Sequence, residues 1–308
     1  MFECELPFDH KTLHLELEDK NFTGVMEGHQ NEFKTTKSQE ELVEESLANP
    51  YGSPSLEELC AGKKDIVIIS SDHTRPVPSR VTMPILLHHI HSVAPEARVR
   101  ILVATGMHRP STHEELVNKY GEEIVANEEI VMHVATDDSM MKKIGTLPSG
   151  GECIINKIAA DCDLLLAEGF IEPHFFAGFS GSRKSVLPGI ASYKTIMYNH
   201  NGQFVNDSHS RAGNLCHNHV SEDMFAAAEM AHLAFVLNVV LNGKHEVIGS
   251  FAGEVLEAHE LAHVFAFLAD RARNAEEPLY CRVGDVREGA TPLLGARPHA
   301  AAACAGGA

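Results

Sequence analysis

The sequence contains no pair of cysteines separated by two residues, although it has seven cysteines along its 308 residues. Zinc ribbons need such pairs, and small disulfide scaffolds need a dense and even set of cysteines. We therefore expect neither kind of fold. Scattered thiols suit a reducing compartment, so we predict a cytoplasmic location.

The sequence also has no excess of positive charge, no long apolar run and no signal-peptide pattern. Its formal net charge of −18 repels the phosphate backbone of nucleic acids. The most apolar stretch, residues 234–241, is too short to span a bilayer. The acidic N-terminus lacks the basic and then apolar order of a secretory signal. We expect no nucleic-acid partner and no membrane partner, whereas a small anionic ligand, which responds to local cations, is not excluded.

What the sequence does contain is an ordinary globular composition, with 44% hydrophobic and 22% charged residues. Short apolar segments at 65–70, 99–104 and 163–168 have the character of buried strands. Helical segments are predicted at 79–93 and at about 111–119. Buried strands that alternate with helices indicate an α/β fold with a parallel or mixed sheet flanked by helices.

The two ends of the chain differ from this central pattern. Residues 2–29 alternate apolar and polar side chains in places, which predicts antiparallel strands. Residues 231–254 predict a helix end and two strands joined by a turn, and an amphipathic helix is predicted at 255–270. The last 38 residues contain ten alanines and no lysine, and they show no clear period. We therefore expect one cofactor-binding α/β domain over residues 1–270 and a divergent, poorly ordered tail over residues 271–308.

A polar loop follows each of the three buried strands. In parallel sheets, ligands bind beyond the carboxyl ends of the strands. We therefore expect four residues from these loops to converge on one edge of the sheet, although they are far apart in sequence: Arg75, His108, His174 and Lys184.

Lys184 lies in an unusual glycine-rich loop, residues 169–189. Glycines such as Gly178 and Gly181 permit positive φ and the close approach of a ligand to the backbone. A phosphate-binding P-loop has glycine directly before its lysine, and Arg183 occupies that place here, so this loop does not match one. The lysine either supplies a charge for a phosphate or bonds covalently to a cofactor or substrate. The alternative is an ordinary loop lysine in solvent.

His108 and His174 occupy equivalent places after two different strands. Histidine transfers protons near neutral pH because its ordinary pKa is about 6.5. Two histidines that face one carbon from opposite sides would suit the inversion of a stereocentre, each serving one enantiomer. The alternative is that each histidine only stabilises its loop.

Two further positions have both a functional and a structural interpretation. The segment with Asp72, Thr74 and Arg75 could hold a phosphate, or Asp72 could cap a turn. His200 ends a short helix that begins after Ser192, where a histidine serves either the helix end or a metal.

Five segments closely resemble lactate racemases of the nickel-pincer type, and the resemblance spans roughly residues 1–268. These segments are SDHTRPVP (71–78), ATGMHRPSTHEELVNKYG (104–121), LPSGGECIINKIA (147–159), IEPHFFAGFSGSRKSVLPGIASYKTIMYNH (171–200) and GSFAG (249–253). Among these segments, residues 171–200 are highly specific to the family. Ser182 departs from the family pattern, which usually has glycine there.

The resemblance implies a cofactor, the nickel-pyridinium-3,5-bisthiocarboxylic acid mononucleotide, that is covalently attached through Lys184. It implies His200 as the nickel ligand and His108 and His174 as the acid/base residues. The phosphate of the cofactor would be bound by Asp72, His73, Thr74 and Arg75. The implied reaction interconverts the two lactate enantiomers by proton-coupled hydride transfer to the cofactor, which does the difficult step. Lactate and the cofactor-synthesis enzymes are the implied partners.

Family members continue into a second α/β domain, which supplies a glutamine and a lysine to the substrate. No matching segment follows Leu268, so we expect a chain that lacks this domain, and the sequence leaves its own activity open. Three other interpretations remain. The chain could act on another 2-hydroxy acid or a sugar, it could be a non-catalytic cofactor-binding remnant, or Lys184 could serve a Schiff-base lyase.

Overall fold

A computed structural model describes residues 1–8, 11–24, 33–181 and 183–270. The predicted tail, residues 271–308, and Ser182 lie outside the described residues. The strands in chain order are β1 (Phe2–Phe8), β2 (Lys11–Leu17), β3 (Asp65–Ser71), β4 (Arg98–Ala104), β5 (Glu129–Met132), β6 (Met141–Thr146), β7 (Glu152–Asn156), β8 (Leu164–Phe170), β9 (Pro173–His174), β10 (Gly178–Phe179), β11 (Leu233–Leu241) and β12 (Val247–Gly253).

The α-helices in chain order are α1 (Gln39–Ala48), α2 (Leu56–Cys60), α3 (Ser79–Val93), α4 (His113–Tyr120), α5 (Glu122–Asn127), α6 (Lys157–Asp161), α7 (Arg183–Val186), α8 (Tyr193–Asn199), α9 (Gly202–Val205), α10 (His219–Met230) and α11 (Val255–Asp270). None of the helices in the described ranges is long and apolar enough to cross a membrane.

Six strands form the central sheet in the order β12-β11-β8-β3-β4-β5. Neighbouring strands from β11 to β5 are parallel, and β12 at the edge is antiparallel to β11. The predicted mixed sheet flanked by helices is therefore confirmed. The predicted N-terminal antiparallel region is the hairpin of β1 and β2, which is separate from this sheet.

Both faces of the sheet are buried, which explains why its strands are continuously apolar. In β3, Ile66 and Ile68 face one core cluster, which also contains residues of α1, α2 and α3. The residues between them, Val67 and Ile69, face a second cluster with residues of α7, α8 and α10. The alternation follows from the period of two of a strand.

Local hydrogen bonds set where the helices begin. The predicted helix at 111–119 starts two residues later, at His113, because Thr112 is its N-cap. The hydroxyl of Thr112 accepts from the backbone N–H of Glu115, and the carboxylate of Glu115 accepts from the backbone N–H of Thr112 at 2.7 Å. This reciprocal pair also fixes where the polar loop after β4 ends.

The parallel strands β3, β4 and β8 end at the same edge of the sheet, which we call the carboxyl edge. The segments that follow them, residues 72–78, 105–112 and 171–192, therefore leave the sheet side by side. This shared exit is what brings distant parts of the sequence together.

Candidate active site

A cavity of about 330 Å³ opens at the carboxyl edge of the sheet. This volume suits a small ligand or part of a cofactor. Six residues singled out from the sequence line it: Asp72, Arg75, His108, His174, Lys184 and His200. The structure thus brings together side chains from three post-strand loops and from the end of α8.

The side chain of His108 is held by a buried carboxylate. Its Nδ1 lies 2.6 Å from Oδ2 of Asp72, whose exposed fraction is only 1%. The other oxygen of Asp72 accepts from the backbone N–H of Thr74 at 3.0 Å and from its hydroxyl at 2.6 Å. The carboxylate therefore keeps a proton on Nδ1 of His108 and leaves Nε2 free to accept one. Asp72 caps a turn and orients a histidine at the same time.

His174 has the opposite arrangement of its ring nitrogens. Its Nδ1 accepts from the backbone N–H of Ala177 at 3.3 Å, so the neutral ring carries its proton on Nε2. Phe175 stacks on the ring and Phe176 meets it edge to face. Burial, with help from the charge of Lys184, lowers the pKa of His174 to about 3. This ring is neutral at pH 7 and presents a hydrogen-bond donor.

Lys184 is a partly buried lysine that lines the cavity from the first turn of α7. Burial is the main reason why its pKa falls to about 7, and the neighbouring charges of Arg183 and Arg75 lower it further. Glu172 acts in the opposite direction. An amine with this pKa is largely unprotonated just above neutral pH, which is the nucleophilic form. The structure therefore places Lys184 in the wall of the cavity, where the functional interpretation expects it.

His200 reaches the cavity because α8 ends there. Ser192 is the N-cap of α8, as the sequence predicts, and His200 is its C-cap. Nδ1 of the ring is buried without a hydrogen-bond partner among the described residues. Burial, together with the charge of Lys184, lowers the pKa of His200 to about 4. Neutral imidazole is the form that binds metals.

Two of the predicted residues do not line the cavity with the others. Nδ1 of His73 lies 2.9 Å from the hydroxyl of Ser111, and Nε2 lies 3.6 Å from the carboxylate of Glu115. The hydroxyl of Thr74 donates a hydrogen bond to the carboxylate of Asp72. Arg75, by contrast, lines the cavity with an exposed side chain.

Two glycines of the lysine loop, residues 169–189, are needed both for the backbone conformation and for close packing. Gly178 and Gly181 have φ of +79° and +82°, so the need for positive φ is confirmed. A Cβ on Gly178 would lie 2.4 Å from the carbonyl oxygen of Asn214, and one on Gly181 would lie 2.3 Å from Cδ1 of Ile171. These glycines let the loop pack closely against the protein, and Gly181 also lines the cavity.

Comparison with known proteins supports one family. The model of the lactate racemase N-terminal domain matches residues 8–213. The lactate racemase of Lactiplantibacillus plantarum is 62% identical over 261 residues, which cover 85% of this chain and 62% of that protein. The lactate racemase of Thermoanaerobacterium thermosaccharolyticum is 48% identical over 84% of this chain and 61% of that protein.

This chain belongs to the lactate racemase N-terminal domain family. The lactate racemase apoprotein of T. thermosaccharolyticum has a similar structure, with a TM-score of 0.77 and 46% identity over 86% of this chain and 62% of that chain. A protein from Thermotoga maritima shares the fold with a TM-score of 0.60 at 22% identity, over 75% of this chain and 59% of that one. The chain spans about three fifths of the length of the curated relatives it matches.

Two carboxylates that the sequence patterns did not indicate, Glu168 and Glu172, also line the cavity. Glu168 lies inside β8, fully buried, and accepts from the hydroxyls of Ser70, Ser79 and Thr82. Its signal in the sequence is a charged residue inside the apolar run of β8. Glu172 lies near Lys184, and burial raises its pKa. Nothing in its local sequence marks it.

Proposed function

We propose that this chain is the cofactor-binding part of a racemase that interconverts the D and L forms of lactate. The observation that carries the proposal is the meeting of His108, His174, Lys184 and His200 around one cavity. The names of the relatives, both lactate racemases, supply the substrate. A racemase or epimerase for another 2-hydroxy acid would use the same four residues.

The donor groups of the cavity fit the nickel-pincer nucleotide that the resemblance implies. A buried imidazole with an unpartnered nitrogen, His200, suits a nickel ligand, and the partly deprotonated amine of Lys184 suits a covalent tether. The guanidinium of Arg75 would hold the phosphate. When bound, this cofactor supplies a hydride acceptor. Cofactor-synthesis enzymes and a cytoplasmic location belong to the same proposal.

His108 is the residue that takes the hydroxyl proton from one lactate enantiomer. Its Nε2 is unprotonated because Asp72 holds the proton on Nδ1, and the carboxylate stabilises the imidazolium that forms. The guanidinium of Arg75 places positive charge at the cavity, which favours an anionic group there.

His174 serves the opposite enantiomer in this proposal, and its starting state is different. In the neutral ring, Nε2–H donates a hydrogen bond to a substrate oxygen. To accept a proton at Nε2, the ring must move its own proton to Nδ1 and give up the bond from Ala177. The two histidines are therefore not equivalent before substrate binds.

The test is co-expression of this chain with cofactor-synthesis enzymes, followed by intact-mass and nickel measurement. We expect an adduct on Lys184 with one nickel per chain, and Lys184→Ala should show neither. Chiral chromatography of lactate then measures interconversion. An unmodified mass under conditions that load a full-length relative would contradict the proposal. Borohydride trapping of a carbonyl compound on Lys184 without any adduct would favour the lyase instead.

A further inference from the structure

Arg183, the neighbour of Lys184, is completely buried. A charged side chain with no exposed surface is rare unless other groups bind it. Arg183 does not line the cavity, so its cation is not available to a ligand there. Its role has to be found among the groups that surround it.

One side of the guanidinium binds the backbone between His174 and Lys184. Nη2 donates to the carbonyl oxygens of Ala177 at 2.9 Å and Phe179 at 3.1 Å. Hydrogen bonds from a charged donor are stronger than neutral ones. The same short segment also positions the ring of His174 through the N–H of Ala177. The guanidinium thus fixes the backbone on which both functional side chains depend.

The other side of the guanidinium binds two helices from later in the chain. Nη1 donates to Nε2 of His259 in α11, and the ring of Phe225 in α10 lies 4.6 Å from the guanidinium carbon. A guanidinium can only donate, so Nε2 of His259 accepts from Arg183 as a neutral ring, and the same nitrogen lies 3.2 Å from the carbonyl oxygen of Ser180. Burial and the charge of Arg183 lower the pKa of His259 well below its ordinary value.

The segment from His259 to His263 has the H-E-x-x-H spacing of a zinc-binding helix. The structure does not support a metal here. The nitrogen Nε2 of His259 is already bound to a cation, and a metal ion would be repelled by Arg183. In the described part of the chain, these residues belong to no group of three metal-binding side chains.

We propose that Arg183 and His259 are positioning residues for His174 and Lys184. The guanidinium holds the backbone of residues 177–179, and His259 anchors the guanidinium to α11. This inference rests on the proposed function for the importance of His174 and Lys184. It extends the functional unit to α11, which lies beyond residues 8–213, the range that the family model matches.

Hydrogen exchange of the cofactor-free chain tests this proposal with a matched pair of variants. His259→Leu removes the acceptor, whereas His259→Gln keeps one. The reporter amides are those of Ala177 and Ser180, which donate to His174 and to the carbonyl of Glu172. We expect both to exchange about tenfold faster in His259→Leu and within about threefold of the wild type in His259→Gln. The amide of Ser192, bonded to Ile154 at 2.9 Å, should not change.

Unchanged exchange at both reporters in folded His259→Leu would overturn the proposal. Equal acceleration at Ser192 would also overturn it, because the effect would then be a general loss of stability. Should His259→Leu fail to fold, Arg183→Lys keeps the charge but loses the planar fork, and the same local acceleration is expected. Exchange needs neither cofactor nor substrate. If the expected local acceleration is seen but no adduct forms on Lys184, the racemase proposal is contradicted and the positioning role stands.

Discussion

At the scale of the residue, the site depends on how a few buried partners fix ordinary side chains. Asp72 determines which nitrogen of His108 is free, and the N–H of Ala177 determines the same for His174. The type and position of both histidines were readable from the sequence. Their tautomers were not, because each depends on a hydrogen bond that only folding creates.

The contact between Asp72 and His108 gives the first prediction. Under the proposed function, Asp72→Asn should reduce lactate interconversion by about 10²–10⁴-fold per loaded chain, because the amide no longer stabilises the imidazolium. Chiral chromatography measures the rate, and intact mass corrects for loading on Lys184. Thr74→Val, which removes one hydrogen bond to Asp72 and a longer 3.3 Å contact with Nδ1 of His108, should cost less than about tenfold. A rate for Asp72→Asn equal to that of Thr74→Val would contradict the assigned role.

The lowered pKa of Lys184 gives the second prediction. Only the unprotonated amine reacts with acylating reagents, so labelling of Lys184 should rise with pH around a midpoint of about 7. The exposed Lys142 serves as the control for the reactivity of the reagent. Peptide mass spectrometry after brief acylation measures both lysines. A midpoint for Lys184 near the ordinary lysine value of about 10.4 would show that burial has little effect on it.

At the scale of the element, the ends of the strands and the backbone of the loops determine which side chains come together in the site. The sequence predicted β3, β4 and β8 and the helix α3 closely, because their apolar patterns are strong. The two-residue strands β9 and β10 could not be predicted. They pair His174 with Gly178 through a tight loop that is held by the nearby Arg183 and by the more distant Asn214 and Leu215.

Gly178 of the lysine loop gives a prediction at this scale, and Gly213, a glycine of similar φ outside that loop, is its control. Gly178→Ala should lower the free energy of unfolding by about 3 kcal/mol or more, since its Cβ would strike the carbonyl of Asn214. Gly213, with φ of +77°, has no atom within 4 Å of its Cβ position. Gly213→Ala should therefore cost only the strain of positive φ, about 1 kcal/mol. Urea unfolding measures both, and equal losses would contradict the packing argument.

At the scale of the whole molecule, several histidines are buried as neutral rings. His133 is an example outside the cavity, where Nε2–H donates to the carbonyl of Ala191 at 3.0 Å and Nδ1 accepts from Asn156 at 3.2 Å. Burial lowers its pKa to about 4. These bonds tie β5 and β7 to the segment that leads into α8 and His200.

This burial predicts a loss of stability in acid. The unfolded chain protonates His133 near pH 6.5 and the folded chain only near pH 4, so stability is full above about 6.5 and falls as the pH approaches 4. His133 alone should contribute about 3 kcal/mol to this fall. Urea unfolding between pH 7 and 4 measures it. His133→Gln should give a shallower slope, and an identical slope would contradict the assignment.

The sequence by itself determined the fold class, the strand and helix pattern, and the residue types that a racemase of this family would use. Apolar periodicity and the family-like loops are features of short, continuous stretches of sequence, so they can be recognised without knowledge of the tertiary contacts. Only the tertiary structure decided which of those residues share a cavity, which nitrogen of each histidine is free, and how deeply Lys184 and Arg183 are buried. Those properties arise from contacts between segments that are far apart along the chain, and such contacts exist only once the sheet has brought its strand ends together.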